Sequence, residues 1–123
     1  MKIFILDDMV DRQQFLSYAV SKVYGSDSYC IIADSFDNAI KVFEEHKEFD
    51  VMFLDHDLGG RVYVDSSDLN TGYQVAKYMV ENNITSKEII VHSLNPAGVQ
   101  NMLAILPKHA KYVPYTLLRS SRL

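Results

Sequence analysis

The sequence predicts an α/β protein of three layers, in which a five-stranded parallel sheet is covered by helices on both faces. Three observations carry this expectation. Short, almost continuously apolar runs alternate with segments whose apolar residues recur every three or four positions. The apolar runs lack the inside–outside alternation of half-exposed strands, so each strand is expected to be buried on both faces. The strand–helix order repeats along the chain, and that alternation requires parallel strands joined by right-handed crossovers.

The elements follow in order. Lys2 to Leu6 is a short apolar strand that stops at Asp7-Asp8. Phe15, Leu16, Ala19, Val20 and Val23 then fall at helical spacing, which predicts an amphipathic helix over 11–24 with Gly25 as its terminator. Tyr29 to Ala33 reads as the second strand. Ser35 is placed to cap a helix whose inner face is Phe36, Ala39, Ile40 and Phe43. Val51 to Leu54 is the third strand and ends at Asp55-His56-Asp57. The polar segment 58–70 is long for a connection in a small domain, and such segments tend to be lids or binding loops. Thr71-Gly72 opens the next helix, with Val75, Ala76, Met79 and Val80 inward. Glu88 to Val91 is the fourth strand and ends at His92-Ser93. Asn95-Pro96 is a cap followed by a first helical residue, and Val99, Met102, Leu103 and Leu106 form that helix's buried face. Ala110 to Val113 is a short fifth strand. The remainder, 115–123, is brief and broken by Ser120-Ser121, so the last helix is expected to be shortened or missing.

A chain of 123 residues fits a single domain over 1–123, and its 48% apolar content suffices for a core. The formal net charge of −4, with both signs interspersed, gives no electrostatic footprint for gripping nucleic acid non-specifically. A small phosphorylated ligand stays compatible with that charge if cations are supplied locally. Cys30 is the single cysteine and lies in an apolar run, which suits a buried, inert thiol and excludes an internal disulfide. No run approaches membrane-spanning length, and the chain reads as soluble and cytoplasmic.

In open sheets of this type ligands lie beyond the carboxyl ends of the strands, and the polar residues of this sequence concentrate there. Asp7, Asp8 and Asp55 come from strand ends that this topology makes neighbours. Three carboxylates in one pocket repel each other unless a cation joins them, and an oxygen-rich site suits Mg²⁺. Asp57 could add a carboxylate or a backbone carbonyl to that metal. His56 and His92 each follow a buried strand, and two imidazoles beside a bound phosphate suit acid–base chemistry near neutral pH. Ser93 could donate to a phosphate oxygen; Asn95 could do the same or simply cap its helix, whose free amides favour an anion. Gly59-Gly60 either lets the backbone approach a ligand or only turns the chain.

These residues resemble a response-regulator receiver domain, of the flavodoxin-like fold, over nearly the whole chain. Ile5-Leu6-Asp7-Asp8 is similar to the receiver's acidic pair, and Phe53-Leu54-Asp55-His56-Asp57-Leu58 to the segment holding its phosphoacceptor, which places Asp55 at that position. Thr71-Gly72-Tyr73-Gln74-Val75 resembles the glycine-led start of the next helix. Val91-His92-Ser93 falls where receivers carry Ser or Thr, and Val113-Pro114 where they carry Lys-Pro. Val113 therefore replaces the lysine that pairs with a phosphoryl group, and two histidines and a long loop are added. Asp-His-Asp-Leu-Gly-Gly together with His-Ser-Leu-Asn-Pro is closest to the cyclic-phosphate-processing receiver-like branch of bacteria and their viruses. That resemblance implies a metal-dependent phosphoesterase acting on a nucleotide or RNA-end cyclic phosphate. Asp7, Asp8, Asp55 and Asp57 would hold Mg²⁺ or Mn²⁺, His56, His92 and Asp55 would do the chemistry, and Ser93 and Asn95 would orient the phosphate. Two rivals stay open: a phosphoacceptor receiver, recognised by stable phosphorylation of Asp55, and a non-catalytic nucleotide- or protein-binding module, recognised by binding without turnover.

Overall fold

The computed structural model describes residues 1–120. Its elements are β1 (Lys2–Leu6), α1 (Val10–Tyr24), β2 (Tyr29–Ala33), α2 (Phe36–Glu45), β3 (Glu48–Leu54), α3 (Gly72–Glu81), β4 (Thr85–Val91), α4 (Pro96–Ile105), β5 (Lys111–Tyr112) and α5 (Tyr115–Ser120). The strands form one parallel sheet in the order β2-β1-β3-β4-β5. The strand order reverses at β1, which has β2 on one side and β3 on the other, and this reversal opens a crevice beyond the strands' carboxyl ends.

Successive strand residues point to opposite faces, and each face has its own core. Ile3, Ile5, Val51, Phe53 and Ile90 pack with Leu16 and Val20 of α1 and Leu118 of α5. Phe4, Leu6, Met52, Leu54, Ile89 and Val91 pack beneath α2, α3 and α4, against Phe43, Met79 and Met102 among others. This parity, odd positions toward α1 in β1 and β3 and even positions toward α4, also decides where the polar residues just past each strand point.

The α/β class, the five parallel strands and the shortened last helix are as the sequence predicts. β3 begins at Glu48 rather than at Val51, and β4 at Thr85 rather than at Glu88, because their outer ends pair with each other (Glu48 with Thr85, Phe49 with Ser86) although several of those residues are polar. The edge strand β5 contracts to two residues. Val23 and Val80, expected inward, are each 49% exposed, since they lie at the margins of their helices' apolar faces. Residues 121–123 of the expected tail lie outside the described residues. Among the described residues, no helix is long and apolar enough to cross a membrane. Cys30 is half-buried on the outermost strand β2, rather than fully buried, and it is unbridged.

Ser35, Thr71 and Asn95 cap α2, α3 and α4 by accepting the N–H groups of Asn38, Gln74 and Gly98 respectively. At the heart of the α2–α4 face, Phe43 is fully buried, with its ring centroid 4.9 Å from that of Phe4 and 6.0 Å from that of Phe49. Phe43→Ala is expected to cost about 3–5 kcal/mol in chemical denaturation, as large-to-small changes in a close-packed aromatic cluster do. A loss below about 1 kcal/mol would mean that this cluster is not packed as described.

Candidate functional site

Parity along the strands builds the site. Asp7 continues the series Ile3, Ile5 off β1; Asp55 continues Val51, Phe53 off β3; His92 continues Ile90 off β4. All three therefore emerge on the side of the sheet covered by α1. Each is fixed by a ladder-type backbone bond: the N–H groups of Asp7, Asp55 and His92 donate to the carbonyls of Ala33, Leu6 and Leu54 at 3.1, 3.0 and 3.0 Å. The first turn of α1 then brings Arg12 over them.

Arg12 is the keystone of the cluster. Its Nε donates to Asp7 Oδ2 at 2.9 Å and Oδ1 at 3.1 Å, its Nη2 donates to Asp55 Oδ2 at 3.0 Å, and Nη2 lies 3.6 Å from Asp8 Oδ1. Its other face lies over the Tyr115 ring, 5.8 Å from the centroid. Asp7 is fully buried and also accepts the Met9 N–H at 2.9 Å. Burial alone would raise the Asp7 carboxyl, but hydrogen bonds from His92 and Arg12 outweigh it and hold the group below the ordinary carboxylate value. Asp55 fares otherwise. Burial, the largest effect, together with the charges of Asp7 and Asp8, pushes it up to about 6 against the pull of His92 and Arg12. One guanidinium therefore does not balance three carboxylates, and the cluster favours a further cation.

His92 Nε2 lies 2.8 Å from Asp7 Oδ2. An ionised carboxylate only accepts, so Nε2 carries the hydrogen of this bond. His92 Nδ1 is buried and has no hydrogen-bond partner among the described residues. One oxygen each of Asp7 and Asp55 and one nitrogen of His92 lie within 4.8 Å of one another, a donor set of two carboxylates and an imidazole that fits a divalent cation. A cavity of about 200 Å³ opens over this group, lined by Asp8, Arg12, Asp55, His92, Ser93 and Tyr115 among others, with the exposed apolar residues Met9, Val62 and Leu94 at its margin.

Of the residues singled out in the sequence, Asp7, Asp8, Asp55, His92 and Ser93 are thus brought together, and three are not. His56 continues the even series Met52, Leu54, so it points to the opposite face and lies fully buried beneath α4. There its Nδ1 is 2.8 Å from Asp57 Oδ1 and its Nε2 is 2.8 Å from Ser66 Oγ. The expected pair of imidazoles beside one phosphate is therefore a single imidazole. Asp57 reaches the cavity edge, but its carboxylate is consumed by the 58–70 loop. Oδ2 accepts the Tyr63 N–H at 2.6 Å, and Oδ1 accepts from His56, from Val64 N–H and from Asn95 Nδ2. Burial would raise Asp57, yet the bonds from Asn95 and His56 leave it lowered, which marks the carboxylate as a loop organiser. Asn95 is a helix cap and a strut: Oδ1 accepts the Gly98 N–H at 3.0 Å, while Nδ2 donates to Asp57 and to the Val64 carbonyl, each at 3.0 Å. It does not line the phosphate-sized cavity. Gly59 and Gly60 both hold positive φ (77° and 73°), and the Gly60 N–H donates to Asp8 Oδ2, so this turn both reverses the chain and anchors Asp8.

Arg12 and Ser66 were not singled out in the sequence. Arg12 stands four residues after Asp8 at the start of a helix, and that spacing beside an acidic pair was the available signal. Ser66 sits in a polar loop with Ser67 beside it and no periodicity to distinguish the two.

A doubly wound parallel sheet with an acidic cluster at its topological switch defines a receiver-type domain. The model of the cyclic-phosphate processing receiver domain matches residues 1–108, and the chain belongs to that family. Comparison with curated proteins gives no match. Among solved structures it is similar to the signal receiver domain of a LuxO repressor protein from Vibrio parahaemolyticus (14% identity, TM-score 0.67, covering 98% of this chain and 85% of the other). It is similar also to the response regulator TrrA from Thermotoga maritima in complex with Mg²⁺-BeF (15%, 0.65, 99% and 98%). A CheY-like receiver domain from Methylobacillus flagellatus is a third (11%, 0.67, 100% and 98%). At these identities the likeness concerns the fold. Val113, expected from the resemblance to stand at the receiver lysine's position, follows β5 and is half-buried against the α1-side core.

A carboxyl raised in the folded state subtracts stability once it ionises, and that loss is relieved as pH falls through about 6. In metal-free buffer, Asp55→Asn is therefore expected to raise stability at pH 7.5 by about 2–3 kcal/mol, with the gain shrinking as pH falls below 6. Thermal melts of both proteins across pH 5–8 check this, and an equal gain at every pH would contradict the raised carboxyl. Gly98 packs on the His56 ring, where a Cβ would come within 2.5 Å of a ring carbon. Gly98→Ala is expected to destabilise by about 1–3 kcal/mol, and a melting temperature equal to that of the parent would refute this packing.

Proposed function

We propose that the cavity above Asp7, Asp55 and His92 binds a cyclic phosphate and hydrolyses it with the help of a divalent cation. The observation that carries this reading is Arg12. With Val113 at the place of the receiver lysine, the cation nearest the acidic cluster comes from α1, and it borders the cavity beside the imidazole of His92. Family membership supports the substrate class, and the shortfall of positive charge around Asp55 supports the metal.

Asp7, Asp8 and Asp55 are the residues that would hold Mg²⁺ or Mn²⁺. Such an ion supplies Lewis-acid polarisation of the phosphoryl oxygens. The protein's own groups do the rest. Asp7 holds His92 by Nε2, which leaves Nδ1 as the ring nitrogen able to take a proton from an attacking water. Arg12 presents guanidinium hydrogens to the phosphoryl oxygens as charge develops on them. Ser93, at the cavity wall, can donate to the same anion. Because His56 lies on the other side of the sheet, no second imidazole meets the leaving oxygen, and Arg12, at the cavity, is a group of the chain's own that would offset its charge. The apolar margin of Met9, Val62 and Leu94 suits a substrate that carries more than a bare phosphate, such as a nucleotide or an RNA end.

The test is turnover of 2′,3′-cyclic nucleotides, 3′,5′-cyclic nucleotides and cyclic ADP-ribose-type phosphates with Mg²⁺ or Mn²⁺, followed by mass spectrometry. Metal-dependent ring opening of one class is expected. His92→Ala, and Arg12→Lys, which keeps a cation among the carboxylates, are each expected to lower it by roughly 10²-fold or more while the circular dichroism spectrum is retained. An active His92→Ala protein would remove the imidazole from the reaction. Tight binding without turnover across the panel would make the domain a sequestering module, and stable phosphorylation of Asp55 by a small phosphodonor would make it a phosphoacceptor.

A further inference from the structure

On the opposite side of the sheet from Arg12, three side chains form a second constellation that the cyclic-phosphate reading does not use. Asp57 Oδ1 lies 2.8 Å from His56 Nδ1, and His56 Nε2 lies 2.8 Å from Ser66 Oγ. Asp57 accepts and therefore fixes the hydrogen of His56 on Nδ1. Nε2 is left as an acceptor for the Ser66 hydroxyl hydrogen. Asn95 Nδ2, 3.4 Å from Nδ1, spends its hydrogens on Asp57 Oδ1 and the Val64 carbonyl, which agrees with this tautomer. The imidazole is clamped by packing as well as by bonds, since Gly98 of α4 presses on its face. The carboxylate–imidazole–hydroxyl order and both distances are those in which an imidazole activates a serine.

We propose that Ser66 is a nucleophile activated by His56 and Asp57, and that it accepts an acyl group from a neutral ester. Ser66 lines an open groove of about 500 Å³ together with Tyr63, Val64, Asp65, Pro96 and Asn101 among others. The groove's lining contains no Lys, Arg or His, and Asp65 gives it negative charge, so it disfavours anions such as phosphate esters and suits an uncharged carbonyl compound with a modest apolar acyl chain. Asn101 Nδ2 donates to Ser66 Oγ at 2.9 Å, which places its amide hydrogens beside the carbonyl carbon that Oγ would attack. In the acylation step Ser66 Oγ bonds to the carbonyl carbon and its proton passes to His56 Nε2. The carbonyl π pair moves to the oxygen, where Asn101 meets it. Collapse of that intermediate breaks the ester C–O bond, and the leaving alcohol takes the proton from His56. Water repeats the sequence on the acyl-serine, releasing the acid and restoring the hydroxyl. The Ser66 groove shares no lining residue with the cyclic-phosphate cavity on the α1 side, and Asp57, at the edge of that cavity, is the one triad member that borders it.

The experiment incubates the intact chain, in EDTA so that divalent cations play no part, with a neutral fluorophosphonate probe and separately with p-nitrophenyl acetate. One stoichiometric phosphonyl adduct is expected, with fluoride as the leaving group, mapped by peptide mass spectrometry to Ser66. Ser66→Ala is expected to lose the adduct and the burst of p-nitrophenol while keeping its circular dichroism spectrum. Asn101→Ala is expected to acylate roughly 10²-fold more slowly. An unlabelled parent protein, an adduct on Ser67 or Tyr63, or an undiminished adduct in Ser66→Ala would each overturn the proposal. In those cases the Ser66–His56 bond serves only to pin the loop.

Discussion

The structure turns on one electrostatic constraint, the convergence of Asp7, Asp8 and Asp55 on a single guanidinium. Two of these carboxylates are almost wholly removed from water, and like charges so close in a poorly solvated place are tolerated only with a cation among them. Arg12 provides it from the first turn of α1, and in doing so it ties the helix to the ends of β1 and β3. The compensation is unequal. Asp7 has the imidazole, the guanidinium and a backbone amide, and stays ionised; Asp55 shares what is left and titrates near 6. That imbalance is the physical basis for expecting a further cation or an anionic ligand held through one, and it makes the site a place of stored unfavourable energy rather than a stabilising feature of the fold.

A second buried polar network stands across the sheet, and it is satisfied within the protein. His56, Asp57, Asn95 and Ser66 exchange hydrogen bonds with one another and with the backbone of the 58–70 loop, and Gln74 adds a bond to the Ser66 carbonyl. Buried polar groups of this kind fix a unique conformation when every member is paired. The two networks thus differ in kind: one is short of positive charge and opens onto a cavity, the other is fully hydrogen-bonded, gives a long loop a defined shape and presents Ser66 to a groove. Tyr63, held at φ 53° with its N–H on Asp57, shows how firmly that shape is imposed.

Much of this was legible in the sequence because the controlling signals are local. The apolar strands, the caps at Ser35, Thr71 and Asn95, and the carboxylates at two strand ends needed only periodicity and turn chemistry. The direction of His56 was also encoded, in the parity of β3, where Met52, Leu54 and His56 share a face opposite to Val51, Phe53 and Asp55. Strand-end position alone gives both histidines the same place, and only the alternation separates them. Asp57 and Asn95 depend on partners 38 positions apart, and Ser66 on a histidine ten positions back across an irregular loop, relations that no local pattern carries. Arg12 lay between, visible as a spacing but indistinguishable from an ordinary surface charge until the sheet supplied Asp55.

The loop that walls both sites borrows its order from a later part of the chain. The Val64 carbonyl is held by Asn95, 31 residues on, and Ser66 by Asn101, 35 residues on. Residues 58–70 cannot settle until β4 has paired and α4 has docked, because closing so long a span costs entropy that only those distant contacts return. A change that undocks α4 would leave the carboxylates near their strand ends but remove the ordered wall that separates one chemistry from the other.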